Sequence, residues 1–182
     1  MKKIIIPFLM SLAVLLTGCG ETLNNTPTKQ AEMFFMNYQT LNKEVIEDLN
    51  NVISADNSMN EAQKEKYKDI MKNHYKNLVY DIKDERVDGD TAIVTVEIEV
   101  YDYSKTIANA DNYLEEHMEE FLDDDNKYSQ EKFIDYRLSE LEKVKDKVKY
   151  TLDLNLTKID DKWQLDKISS LDEDKILGIY EH

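Results

Sequence analysis

Two periods of apolar residues take turns along the chain. Ala31, Phe34, Phe35, Tyr38, Leu41, Val45, Leu49 and Val52 recur at spacings of three and four, the stripe that a helix buries. Thr26-Pro27 precedes it as an N-cap followed by proline at the first helical position, where a missing N–H breaks no hydrogen bond. The spacing predicts one long helix. A second starts at Asn60, with Gln63 placed for a capping-box contact, and Tyr67, Ile70, Met71, His74 and Leu78 form its inward face.

The period then drops to two. Ala92, Val94, Val96, Ile98 and Val100 alternate with Thr95, Glu97 and Glu99, which predicts a half-buried strand. Asp88-Gly89 marks a hairpin turn that pairs it with a strand over 79–87. Helical spacing returns in Ile107, Ala110, Leu114, Met118, Phe121 and Leu122, and again after Ser129 in Phe133, Arg137, Leu138, Leu141 and Val144. Val148, Tyr150, Leu152, Leu154 and Leu156 alternate once more, a turn at Asp160-Asp161 leads into Trp163-Gln164-Leu165, and Ser170 with Glu173 suggests a capping box for a terminal helix. Helices and hairpins fall in blocks. The expected fold is α+β: a mainly antiparallel curved sheet of about four strands packed against helices, with a helical insertion at 105–147 between the two hairpins.

The N terminus follows neither period. Lys2 and Lys3 precede an apolar run, Ile4 to Leu16, interrupted only by Pro7 and Ser11, and the small residues Thr17-Gly18 lead to Cys19. The run is shorter than the roughly 20 residues a membrane span needs. An ordinary secretory signal is one reading. Cys19 is the only cysteine and stands where a small-residue cleavage site is expected, and Leu16-Thr17-Gly18-Cys19 resembles the lipobox of bacterial lipoproteins. That resemblance implies cleavage before Cys19 and diacylglycerol, with palmitate-like chains, on its thiol. The expected organisation is a signal peptide at 1–18, a lipidated cysteine and short tether at 19–26, and one α+β domain at 27–182.

Charge and cysteine usage narrow the chemistry. The chain has 38 acidic and 23 basic side chains, a net charge of −15; loss of residues 1–18 removes two lysines and no acid, leaving −17. Nucleic acid, which demands a basic footprint, is not an expected partner. The same balance argues against attraction to anionic lipid headgroups as an anchor, so the acyl chains must hold the protein to the membrane. With Cys19 lipidated no thiol remains for disulfides or cysteine–zinc sites. No cofactor is expected: the chain has four glycines, no phosphate-binding glycine loop and no GxSxG. A composition rich in Lys, Asn, Asp, Ile and Tyr fits an AT-rich genome, and in a Gram-positive host the anchor would lie in the outer leaflet of the cytoplasmic membrane.

Three segments together resemble the cystatin-like, nuclear-transport-factor-two-like domains of small bacterial lipoproteins. They are Thr26-Pro27 running into Phe34-Phe35, the turn and strand Val87-Asp88-Gly89-Asp90-Thr91-Ala92-Ile93-Val94, and Asp161-Lys162-Trp163-Gln164-Leu165-Asp166. The resemblance, over about residues 26–170, implies a cone whose curved sheet wraps a long helix around a cavity. The insertion at 105–147 would cap that cavity or replace it.

Candidate chemistry is sparse. Tyr38, His74 and Tyr150 fall on inward faces, where an acid and a base could converge as in an isomerase or dehydratase; packed, hydrogen-bonded core residues are the competing account. His117 stands among Glu115, Glu116, Glu119 and Glu120 without a second histidine at helical spacing, and reads as part of a solvated acidic face. Asp123, Asp124 and Asp125 could hold calcium in a loop but lack the EF-hand spacing, so no metal is expected. Tyr101 and Tyr103 continue the polar-facing set of their strand and are candidate binding anchors, unless the inserted helices cover them. The sequence thus points to an extracytoplasmic, lipid-anchored, non-catalytic module that binds a cell-envelope protein or small ligand. A small cavity enzyme is the alternative, and a structural accessory to envelope assembly a third reading.

Overall fold

A computed structural model describes residues 25–181. The signal segment, the lipobox residues Leu16, Thr17, Gly18 and Cys19, the tether up to residue 24, and His182 lie outside the described residues. Three helices come first: α1 (Pro27–Gln39), α2 (Lys43–Ala55) and α3 (Glu61–Lys76). The hairpin β1 (Val79–Asp88) and β2 (Thr91–Tyr101) follows, then α4 (Tyr103–Glu116), a 3-10 turn at Met118–Phe121, and α5 (Gln130–Lys143). A second hairpin, β3 (Lys147–Ile159) and β4 (Lys162–Leu165), leads to α6 (Ser170–Ile176). The four strands form one antiparallel sheet in chain order, so the fold is α+β with the helical insertion between hairpins.

The period-two segments make the centre of the sheet. Val94, Val96 and Ile98 of β2 and Leu152, Leu154 and Leu156 of β3 face the helices and are fully buried. Their alternate neighbours make a polar lattice on the open face, where Lys149 Nζ lies 2.9 Å and Lys83 Nζ 3.5 Å from the Glu97 carboxylate. Thr95 Oγ1 there donates to Asp153 at 2.6 Å. These ion pairs offset part of the acidic charge on this face.

α1 crosses the inner face of the sheet from the turn end to the far end. At its start the Asn25 side-chain amide pairs with both the N–H and the C=O of Trp163, on the outer side of β4. At its end Gln39 Nε2 donates to the Leu78 carbonyl at 2.9 Å. Between them Phe35 stacks on Tyr80, ring centroids 5.1 Å apart. The first turn of α1 contains no acid; Glu85 of β1 supplies one, accepting from Thr28 N–H at 2.9 Å and Thr28 Oγ1 at 2.6 Å. A carboxylate there favours the positive end of the helix dipole.

Two local expectations are corrected. The single long N-terminal helix is two: Thr40 caps α1, Leu41 turns through φ 52°, and the Asn42 side chain accepts from Glu44 N–H at 3.0 Å to start α2. After this break Ile53, not Val52, reaches the core. The terminal helix is capped by Ser169, whose hydroxyl accepts from Asp172 N–H at 3.1 Å, rather than by Ser170. The capping box of Asn60 and Gln63 is present.

The insertion builds a small core of its own, Ala110, Leu114, Phe121 and Phe133, and packs through α5 on α3. Arg137 pairs with Asp111 and lies over the Phe133 ring at 4.6 Å. β4 covers β3 only over Leu156 to Ile159. Beyond it Lys175 of α6 reaches the open edge, its Nζ donating to the Thr151 carbonyl at 3.3 Å. A lysine at a strand edge is a common protection against unwanted pairing. Among the described residues, no helix is long and apolar enough to cross a membrane.

Candidate functional site

The end of the sheet away from the turns gathers the last turns of α3 and α5, the start of α4 and the C-terminal segment. β2 stops at Tyr101 because the Asp102 side chain accepts from Lys105 N–H at 3.2 Å and caps α4. Tyr103 is therefore the first residue of a helix, not a strand residue, and it turns inward to 3% exposure. The expectation of two exposed aromatics is corrected: the insertion buries Tyr103, and only Tyr101 keeps partial exposure, beside Lys147 Nζ at 5.7 Å.

His74 packs behind Tyr103, ring centroids 4.9 Å apart, and is 1% exposed. Its Nε2 lies 2.8 Å from the Ile176 carbonyl, so Nε2 carries the proton and donates, and Nδ1 is an acceptor without a hydrogen-bond partner among the described residues. Burial pushes its pKa down to about 4; the bond to Ile176 opposes the shift and the charge of Lys147 adds to it. The same carbonyl segment continues to Gly178, whose C=O accepts from Ser104 N–H at 2.8 Å. His74 thus ties α3 to the C-terminal segment.

A groove of about 350 Å³ opens between α3 and α5. Its floor is Ile70, Leu141, Val144 and the edge of Tyr103; its rim is Lys66, Asp69, Asn73 and Glu142. Lys66 Nζ bridges to Glu142 at 3.1 Å. Floor and rim contribute equally, a mixed and open lining that suits a small amphiphilic ligand or a partner's side chain. A second groove, of about 450 Å³ between α2 and α3, is lined mainly by charged and polar side chains including Glu61, Lys64, Glu65 and Lys68.

The proposed catalytic trio does not meet at either groove. Tyr38, 4% exposed, packs its ring against Phe34 at 5.2 Å and Tyr75 at 5.0 Å. Burial, then the charges of Glu173 and Asp48, raise its pKa well above the ordinary tyrosine value. Tyr150 donates its hydroxyl to the Tyr180 carbonyl at 3.3 Å. A general acid or base needs substrate within hydrogen-bond reach, and these three side chains are packed away from solvent.

The aspartates do not converge either. Asp123 Oδ1 accepts from the backbone N–H groups of Asp125 and Lys127, each at 2.9 Å, so its carboxylate shapes the turn. Asp125 pairs loosely with Lys127 at 3.7 Å. Among the described residues, no three His, Cys, Asp or Glu side chains gather as a metal site. His117 stacks on Tyr113 at 4.2 Å, 3.9 Å from the Glu120 carboxylate.

Sequence reasoning missed the groove residues Lys66, Asp69, Asn73 and Glu142. A signal existed: Lys66, Asp69, Ile70 and Asn73 are spaced three, four and seven apart, on one side of α3 beside its buried stripe. Nothing in the sequence says that α5 stops short of covering that side. Compared with known proteins, the chain matches no family profile, no curated protein and no solved structure.

Proposed function

We propose that the chain is a lipid-anchored extracytoplasmic protein whose α+β domain is a non-catalytic binding module. The observation that carries the anchor is Leu16-Thr17-Gly18-Cys19 closing an apolar run in a chain with no other cysteine. At least two acyl chains on Cys19 give a stable hold. The residues between Cys19 and Asn25 reach at most about 21 Å, so partners are drawn from the neighbourhood of the bilayer. The groove between α3 and α5 is the binding surface, because it joins apolar floor and polar rim while the titratable core residues stay sealed.

Mass spectrometry of the chain purified from its membrane is expected to find Cys19 as the first residue, carrying two or three acyl chains. Cys19→Ala is expected to abolish acylation. An unacylated wild-type N terminus would refute the anchor. A photo-activatable side chain at Asn73, in the groove, is expected to give adducts in native membranes that the same probe at Thr151, on the open sheet face, does not. Adducts from Thr151 alone would move binding to the sheet.

A further inference from the structure

We propose that β1 is an interface to a second copy of this chain, the two β1 strands pairing antiparallel about a twofold axis to make one eight-stranded sheet. Among the described residues β1 is the long uncovered edge: ten residues, no proline, with Val79 and Val87 each about half exposed. Its hydrogen-bonding side follows from the register. Asp166 N–H donates to Asn155 C=O on the β4 side of β3, and Lys158 N–H donates to Asp90 C=O on the β2 side. Antiparallel alternation then turns the even-numbered residues of β2 toward β3 and the odd-numbered ones toward β1.

Val79, Asp81, Asp84, Arg86 and Asp88 face those odd-numbered residues and bond inward. A bulge between Ile82 and Asp84 absorbs Lys83 and shifts the alternation by one. The outward N–H and C=O groups therefore belong to Tyr80, Ile82, Glu85 and Val87. Among the described residues, the backbone N–H and C=O groups of these four make no hydrogen bond to the backbone of another element; the Glu85 side chain reaches back, to Thr28 of α1.

That outward set is symmetric about the bulge, and only one twofold register superposes it on itself. Tyr80 then faces the partner's Val87, and Ile82 the partner's Glu85. Each facing pair exchanges two backbone hydrogen bonds. The bulge keeps side chains on matching faces: Tyr80, Ile82, Glu85 and Val87 all lie on the helix side. On the open face the same register sets Asp81 opposite the partner's Arg86, a closely spaced pair of opposite charge, twice by symmetry. Near the axis Lys83 meets the partner's Asp84. Charges on an edge strand ordinarily repel a copy of themselves. Here the order Asp81, Lys83, Asp84, Arg86 reads as its own complement. The proposal does not depend on the lipid anchor or the groove.

The test uses the full chain purified in mild detergent, with protein mass read by sedimentation at several protein and detergent concentrations. Wild type is expected to dimerise. Asp81→Arg sets like charges opposite Arg86, and Arg86→Asp sets them opposite Asp81, so each alone should weaken dimerisation by at least about tenfold. The double variant D81R/R86D restores both pairs and should recover the dimer, which a folding defect would not. A monomeric wild type at 100 µM would overturn the proposal. So would single reversals without effect, or a double variant no better than the singles.

Discussion

Replacing Gly178 with alanine is expected to destabilise the domain by about 3–5 kcal/mol, a fall in Tm on the order of 10 °C for a chain of this size. Gly178 stands at φ +68°, where an L-residue is strained, and an alanine Cβ would sit 2.1 Å from the Tyr101 carbonyl oxygen and 3.2 Å from His74 Cε1. Backbone cannot yield cheaply there. The Gly178 carbonyl is bonded to Ser104, Ile179 N–H to Asp174, and the neighbouring Ile176 carbonyl to His74. Gly89 is the internal control: its φ is +59°, yet nothing lies within 4 Å of an added Cβ. Gly89→Ala should therefore cost only the left-handed strain, about 1–2 kcal/mol. Thermal unfolding of both variants separates the close approach from the dihedral. Equal losses would show that the C-terminal segment is not clamped as described.

The same segment shows where sequence reasoning reached and where it stopped. The strands were legible because Val94, Val96 and Ile98, and Leu152, Leu154 and Leu156, alternate with polar residues on a sheet with one covered face. The two hairpins followed from Asp88-Gly89 and from Asp160-Asp161, whose residues take φ of 50° and 60°. The break between α1 and α2 was not legible from period alone. Tyr38, Leu41, Val45 and Leu49 keep helical spacing across it, and only the Asn42 cap betrays the restart.

Tyr103 failed for a related reason. Alternation through Val100 carries on by eye to residue 103, but Asp102 is a helix cap, and one cap turns the next side chain from the open face into the core. The groove and the His74 clamp depend on where α5 ends and where residues 176–178 lie, contacts between segments more than thirty residues apart. No local pattern encodes them. The sequence pattern did place His74 on an inward face, and the structure makes it a packed, hydrogen-bonded core residue.

That histidine should make a large contribution to the acid side of the stability profile. Its pKa is about 4 in the folded chain against 6.5 for a free histidine, so the unfolded state takes up a proton more readily than the folded one. The stabilisation from keeping His74 neutral is complete above pH 6.5, declines as the pH falls, and is exhausted near pH 4. The shift corresponds to about 3 kcal/mol. Opposing contributions come from Asp48, Glu173 and Asp174, whose pKa values burial raises, so that acid favours their folded forms. Relief of the repulsion in a chain of net charge −15 works in the same direction.

A difference measurement removes those terms. His74→Gln keeps a side-chain N–H that can donate to the Ile176 carbonyl but cannot titrate. Denaturant unfolding of wild type and variant from pH 7.5 to 4 is expected to give wild type the greater stability at the upper end. The gap should close by about 3 kcal/mol on acidification. Parallel profiles would mean that the ring takes up a proton as easily in the folded chain as in the unfolded one. The seal formed by Tyr103 and residues 176–178 would then be open to water.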